Sequence, residues 1–429
     1  MNVQSPPLSV AKNLRRVSRL DIAGGGQVYV EGNHCYIGHM KPPHGTTILD
    51  VSDPKNPKVV AELKLSDHQS HTHKVRVIGD LMITNVEQNN RHFVRRGDRI
   101  PGAREKLAKL LGREATDAEI AKEIGVKEAD IAVLEAQRKR GYHEGGFKVW
   151  NVRDKSNPKL LHYQKTHGFG VHRFDMDANY AYISTEMEGY IGNILVIYDL
   201  AKPDKPAEVS RWWMQGQQIA GGEKPTWQGY KNWLHHTLRH KDQLWAAVWH
   251  AGLRVIDVSD ITKPKTVGFY DYHPPFPEPT HTVLRVPFPV AGRELAVAVD
   301  EEHEHVPGQP HAGMWVFDVG DLANIKPLSM FHVSELDSPY ARAPGRFGAH
   351  QFQEHMRPGD TRLYTSWFGG GLRIIDIAKP ETPTETGWYI PEPASGQPSP
   401  QSNDVEVDSR GLVYLLDRNV GLEILEVTG

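Results

Sequence analysis

Ile48-Leu49-Asp50-Val51-Ser52-Asp53-Pro54 is an apolar strand that runs into an acidic residue and a polar, proline-bearing turn. The pattern returns as Val149-Trp150-Asn151-Val152, Val196-Ile197-Tyr198-Asp199-Leu200 and Val255-Ile256-Asp257-Val258-Ser259-Asp260. It returns again as Val316-Phe317-Asp318-Val319, Ile374-Ile375-Asp376-Ile377 and Ile424-Leu425-Glu426-Val427. Seven copies, with short alternating strands and turn residues between them, predict a β-propeller. A solenoid also repeats, but only a closed ring sends one residue per repeat to a common axis.

The second repeat reads as four strands, at residues 74–77, 81–85, 147–152 and 159–164, with Val75 and Val77 alternating against Lys74 and Arg76. The last repeat supplies only three. Arg16-Val17-Ser18-Arg19-Leu20-Asp21-Ile22, near the N-terminus, is its expected fourth strand, which closes the ring and covers an open edge. The predicted fold is therefore all-β: a seven-bladed β-propeller of four-stranded blades over residues 13–429, with a small helical insertion at 90–145 in blade 2.

A histidine followed by a strand recurs at one column of the repeat: His73, His172, His236, His281 and His350, with Gly26 and Asn403 in the same column. In a closed ring these side chains converge on the axis. Neutral imidazole suits Fe, Cu, Zn and Ni, and a set without thiolate suits a catalytic metal with an open position rather than a structural zinc. The expectation is that four of the five hold a divalent transition metal, Fe(II) or Cu in first place and Zn or Mn as alternatives.

Long loops share the face on which these strands begin, so binding is expected at that mouth. Glu87, Glu186 and Glu301 follow second strands and are candidates to orient a ligand's distal N–H or to serve as acid or base. Asp300 and Glu302 compete for that role. His235 is expected to point away from the column, because successive strand residues face opposite sides, and it joins His71 in the pocket wall. Trp367, Arg342, Arg346 and Arg418 complete the expected substrate pocket, with the arginines orienting a carboxylate. Trp227, Tyr230, Trp233, Phe276, Tyr340, Phe347 and Phe368 are further aromatic candidates, and His303-Glu304-His305 is a candidate for a second ion.

Ile-Leu-Asp-Val-Ser-Asp-Pro at 48–54 and Val-Ile-Asp-Val-Ser-Asp at 255–260 resemble the repeat of the LVIVD β-propeller family. That resemblance implies the fold; the family has no uniform activity. An axial histidine cluster in a seven-bladed propeller is also similar to that of selenium-binding protein (methanethiol oxidase) and of carotenoid cleavage oxygenases. The latter hold Fe(II) with four histidines.

A formal net charge of −3 over 429 residues argues against nucleic-acid or membrane binding driven by bulk charge. The sole cysteine, Cys35, excludes an intramolecular disulfide framework and sits in a strand, where a buried, inert thiol is expected. Residues 1–20 lack a signal-peptide core and no long apolar run exists, so a cytoplasmic protein is expected. In the insertion, Thr116-Asp117-Ala118-Glu119 fits a capping box, and Ile120, Ile124, Ile131 and Leu134 follow at helical spacing. The run 111–125 resembles a sigma-factor helix-turn-helix, but its acidic residues favour a lid or a homo-oligomer contact over DNA binding.

No Gly-x-Ser-x-Gly, P-loop or His-Glu-x-x-His motif is present. The expected function is a metal-dependent enzyme, a non-haem iron or copper oxidoreductase (dioxygenase) acting on a small aromatic or apolar substrate. A zinc or manganese hydrolase or lyase and a non-catalytic protein-binding propeller are the alternatives.

Overall fold

The computed structural model describes residues 10–227, 230–304, 306 and 308–429. Antiparallel sheets of chain-consecutive strands dominate it. One comprises Gly25–Glu31, His34–His39, His44–Asp50 and Lys58–Lys64 in that order. Another runs Leu234–His240, Gln243–Val248, Gly252–Asp257 and Lys265–Tyr270, and the next Thr280–Arg285, Leu295–Asp300, Met314–Asp318 and Lys326–Phe331. Gln351–Phe352, Arg362–Trp367, Gly371–Asp376 and Thr384–Ile390 form a further sheet, which Val10–Lys12 extends at its edge. The strands between Ser70 and Trp212 form one larger sheet, whose two halves meet at the single pair Gly170–Glu87.

The expected role of the N-terminal strand is seen in the register. Leu14–Ala23 pairs antiparallel with Val420–Val427, Leu14 opposite Val427, and so completes the sheet of Ser402–Val407 and Val413–Asp417.

The acidic or amide residue of the repeat has a local cause. The side-chain oxygen of Asp50 accepts from the Ser52 backbone N–H at 2.9 Å, and Asp257 from Ser259 at 2.9 Å. Asn151, Asp199, Asp318 and Asp376 do the same two residues on. Each is an Asx turn that sends the chain out of the third strand and back into the fourth.

Second strands such as Leu295–Asp300 are buried along their whole length and read as continuous apolar runs, because neighbouring sheets cover both faces. One core cluster joins Val297, Val299 and Val316 to Leu363 and Ile375 of the next sheet. Another joins Val28, Cys35 and Leu49 of an early sheet to Leu416, Leu422 and Ile424 of the last. Cys35 is fully buried there, and burial pushes its thiol up, as befits an inert group.

First strands follow one another. Gly25–Glu31 lies beside Val75–Ile78, His167–Met176 beside Leu234–His240, and the latter beside Thr280–Arg285. Thr280–Arg285 neighbours Gln351–Phe352, which neighbours Ser402–Val407, and that strand returns to Gly25–Glu31. The architecture is a β-propeller-like all-β fold.

The segment between the second and third strands of the repeat that begins at Val75 is helical: α1 (Arg91–Val94), α2 (Ile100–Leu111), α3 (Asp117–Ile124) and α4 (Asp130–Arg140). Thr116 caps α3 in a full capping box with Glu119. Ile100, Ala103, Ile120, Ile124, Ile131 and Leu134 form its own small core. Among the described residues no helix is long and apolar enough to cross a membrane.

Candidate metal centre

The first strands carry a common irregularity. Their pairing skips one residue between Gly25 and Gln27, Val171 and Arg173, Leu234 and His236, Thr280 and Thr282, and Ser402 and Asp404. The residue left over in each bulge is Gly26, His172, His235, His281 or Asn403. A bulge re-aims a side chain out of the pleat, and here it aims one residue per strand at the mouth. His73 lies in a comparable break between Ser70–His71 and Val75–Ile78, and His350 directly precedes Gln351–Phe352. At Gly26 a Cβ would stand 2.8 Å from the Cβ of His73, so only glycine fits that member of the column.

This corrects the reading of the fourth column residue. His235, expected to point away, joins the histidine row, while His236 lies below it. There His236 Nδ1 sits 3.7 Å from Glu354, within the buried ion network of Arg76, Asp175, Arg173 and Glu354. Strand alternation fails because the bulge inserts one residue.

Six imidazoles now form a contiguous row. Ring centroids are 4.3 Å apart for His71–His73, 5.3 Å for His73–His172 and 4.9 Å for His172–His235. The row continues at 4.1 Å for His235–His281 and 4.3 Å for His281–His350.

Their hydrogen bonds assign the tautomers. His172 donates from Nδ1 to both Glu87 oxygens at 3.1 Å. His235 donates from Nδ1 to the His281 carbonyl, and His350 from Nδ1 to the Asn403 carbonyl. His281 donates from Nδ1 to Gln351 Oε1 at 2.9 Å, and the amide of Gln351 is oriented by its own donation to Glu354. All four rings therefore keep a lone pair on Nε2.

His73 is the opposite case. Asn85 accepts from the Lys74 N–H through Oδ1 and donates through Nδ2 to the Val171 carbonyl and to His73 Nδ1. His73 thus carries its hydrogen on Nε2, which suits a donor to substrate rather than a metal ligand.

Two groupings of three donors have their ligand atoms within 4.8 Å of one another: His71, His73 and Glu87, and His235, His281 and Glu301. The tautomer of His73 disfavours the first.

The decisive contact is His172 Nε2 to His235 Nε2, at 3.0 Å. Both rings have committed their single proton on Nδ1, so two lone pairs face each other, and Arg91 Nη2 reaches the His172 one at 3.3 Å. A second proton would resolve this, but burial and then Arg91 push His172 down to about 4, and burial holds His235 well below the ordinary histidine range. A cation shared by the two lone pairs resolves it as well. The donor set fits a transition metal.

Around the row, Glu87 joins His172 to His71 Nε2 at 2.9 Å and pairs with Arg91 of α1. Burial opposes its charge, but Arg91 and His172 outweigh it and hold the carboxyl well below the usual range. Glu301 accepts from Arg346 at 2.8 Å and lies 3.7 Å from His350 Nε2 and 3.3 Å from His303.

The other expected carboxylates are elsewhere. Asp300 is buried between Tyr272 Oη (2.6 Å) and Trp315 Nε1 (2.9 Å), and burial raises its carboxyl to about 7. Glu302 turns the other way and accepts from His311 and the Phe347 N–H. Glu186 pairs with Arg95 and accepts from the Phe169 N–H, beside the row rather than in it. Trp367 is core, packed edge-on to Phe331, and Arg342 is an exposed partner of Glu335. Within the expected second-ion cluster, His303 pairs with Glu301, and His305 lies outside the described residues.

The row opens into a cavity of about 880 Å³. Its lining includes His71, His73, His172, His281, His350, Arg346 and Arg418, but among the described residues none of the other aromatic candidates; Phe93 and Trp249 are its aromatic groups. Nine lysines and arginines face three glutamates there. Arg91, His92 and Arg95 come from the insertion and had no local motif to reveal them.

Three segments, residues 25–63, 244–272 and 363–390, match the LVIVD repeat. The chain carries LVIVD repeats. None of the six row histidines falls within the matched LVIVD segments, which cover the scaffold strands and not the bulges that aim the imidazoles. No curated protein matches the sequence.

Among solved structures, a chain of the mitotic checkpoint complex superposes with a TM-score of 0.57 at 9% identity, over 99% of this chain and 96% of that one. A chain from an S. cerevisiae assembly of dbp5 with nup159 and gle1 has a TM-score of 0.49 at 9% identity, over 96% and 94%. A computationally designed protein has 0.48 at 9%, over 94% and 96%. At 9% identity the likeness to the mitotic checkpoint chain describes the fold alone.

Proposed function

We propose that this chain is a seven-bladed β-propeller enzyme with one transition-metal ion shared by Nε2 of His172 and His235, with His281 and His350 the adjacent donors of the row, and that it is an iron or copper oxidoreductase. The blade count is supported by dividing the larger sheet at Gly170–Glu87 and by the cyclic order of the first strands. The observation that carries the metal is the 3.0 Å contact of two imidazole nitrogens whose rings have no proton left to share.

When bound, such an ion supplies redox or Lewis-acid chemistry at a position open to the cavity. The chain's own residues prepare it. Glu87, Gln351 and two backbone carbonyls fix ring orientation and raise donor strength. His73 offers a hydrogen-bond donor at Nε2 toward the cavity, and Glu301, held by Arg346, stands beside His350 as a proton acceptor.

The test is elemental analysis of protein purified without chelator or added metal, next to His235→Ala and His236→Ala. Near-stoichiometric iron or copper, lost in His235→Ala and kept in His236→Ala, is expected. Zinc or manganese with the same pattern redirects the reading to water activation in a hydrolase or lyase. No metal after reconstitution sinks it and leaves a binding propeller.

A further inference from the structure

Part of the cavity's charge has no partner in the metal centre, where Arg91 and Arg346 answer Glu87 and Glu301, or beside it, where Arg95 answers Glu186. The chain has a net charge of −3, yet its mouth gathers nine cationic side chains against three carboxylates. Two of those carboxylates are already committed, Glu87 to Arg91 and Glu301 to Arg346.

Arg418 lines the cavity and donates to the neutral Asn403 Oδ1 at 3.0 Å; among the described residues no carboxylate pairs with it. Burial, and then the nearby Arg346, lower it to about 10, and the more distant charges of Glu301 and Asp417 do not make up for them. Lys231 is similar. It lies over the rings of Trp233 and Trp249, and burial, then Arg95 and Arg91, lower its ammonium. Arg91 is felt by both cations, so they share one region of the mouth. A cavity with focused positive potential raises the local concentration of anions, and its volume is that of a metabolite site.

We propose that the mouth binds a small organic oxyanion, held by Arg418 and Lys231 and presented to the histidine row, as the substrate class of the enzyme. This rests on the metal reading for its chemistry, though not for its binding. Guanidinium and ammonium groups recognise carboxylate and phosphate alike. The insertion takes part, because α1 brings Arg91 to the rim. An oxyanion ligand extends the expectation that the arginines of the mouth orient a carboxylate.

The test is calorimetric titration of the full chain with succinate and with inorganic phosphate, in chelator-treated and metal-loaded forms. The expected result is binding of at least one probe below about 1 mM, weakened by added salt. Arg418→Gln and Lys231→Met are each expected to weaken it about tenfold or more while metal content stays at the wild-type level. Succinate alone assigns a carboxylate ligand, and phosphate alone a phosphate.

Circular dichroism checks the fold of each variant, and if one is unfolded the other decides. Absence of binding by both probes in both forms overturns the proposal, as does unchanged affinity in the folded variants. Anion binding by a protein that never takes up metal keeps this site and sinks the metal centre. Metal uptake without anion binding does the reverse.

Discussion

Glu87→Gln is the substitution that most directly tests how the histidine row is held. The wild-type carboxylate accepts from His172 Nδ1 at 3.1 Å on both oxygens, from His71 Nε2 at 2.9 Å, and from Arg91. Glutamine keeps the shape but has one oxygen and one amide. Whichever way it turns, one donor among these three faces another donor, and Arg91 loses its counter-charge.

His172 then no longer has its tautomer fixed, and losing the partner that orients a metal-binding imidazole lowers metal affinity about 10–100-fold, or about 1.4–2.8 kcal/mol. Competition with a chromophoric chelator, on protein shown by circular dichroism to be folded, measures it. Wild-type affinity in Glu87→Gln would falsify the claim that Glu87 sets the donor nitrogen of His172.

Three further expectations follow from other parts of the molecule. His311 lies between Glu302 and Glu335, and the bond to Glu302, above all, raises its pKa above 6.5. The folded value exceeds the unfolded one, so this stabilisation is complete below pH 6.5 and is lost as pH rises through the folded value. Urea midpoints from pH 5.5 to 8.5 should fall across that window and flatten in His311→Gln; equal slopes would reject it.

Thr116→Ala removes the capping box of α3 and should cost the insertion about 1 kcal/mol, read as faster amide exchange over residues 117–124. Unchanged exchange there would refute the cap. Phe352→Ala opens a cavity in the cluster shared with Leu363 and Ile375, and an unfolding free energy lower by about 3–5 kcal/mol is expected, where a loss under about 1 would contradict the packing.

The repeat was legible because Asp50, Asp199, Asp257, Asp318 and Asp376 each make the same local turn, and local chemistry survives in sequence. The N-terminal strand was legible by subtraction, as the strand the last repeat lacked. The histidine column was read one residue out at His235-His236, because alternation assumes an unbroken ladder and the bulge breaks it.

A signal was present nonetheless. Leu238-Arg239 stands from His235 as Leu284-Arg285 stands from His281, and Leu238 and Leu284 enter the same core cluster. Asp300, Glu301 and Glu302 could not be separated by position, since only tertiary partners decide which of three successive carboxylates faces the mouth. The positive lining was hidden for a different reason. It is assembled from an insertion helix and several distant loops, and the chain's average charge conceals it.

The pairing of Leu14 with Val427 also has a consequence for how the molecule is made. The Leu14–Ala23 strand is synthesised long before its partner and stays unpaired until Val420–Val427 has emerged, and the contact that joins them closes a loop that spans every copy of the repeat. Assembly therefore finishes with a clasp between the first and last strands of the repeat array. A circular permutant that links them and opens an Asx turn instead would turn this slowest, most distant contact into a hairpin, and should fold faster to the same ring.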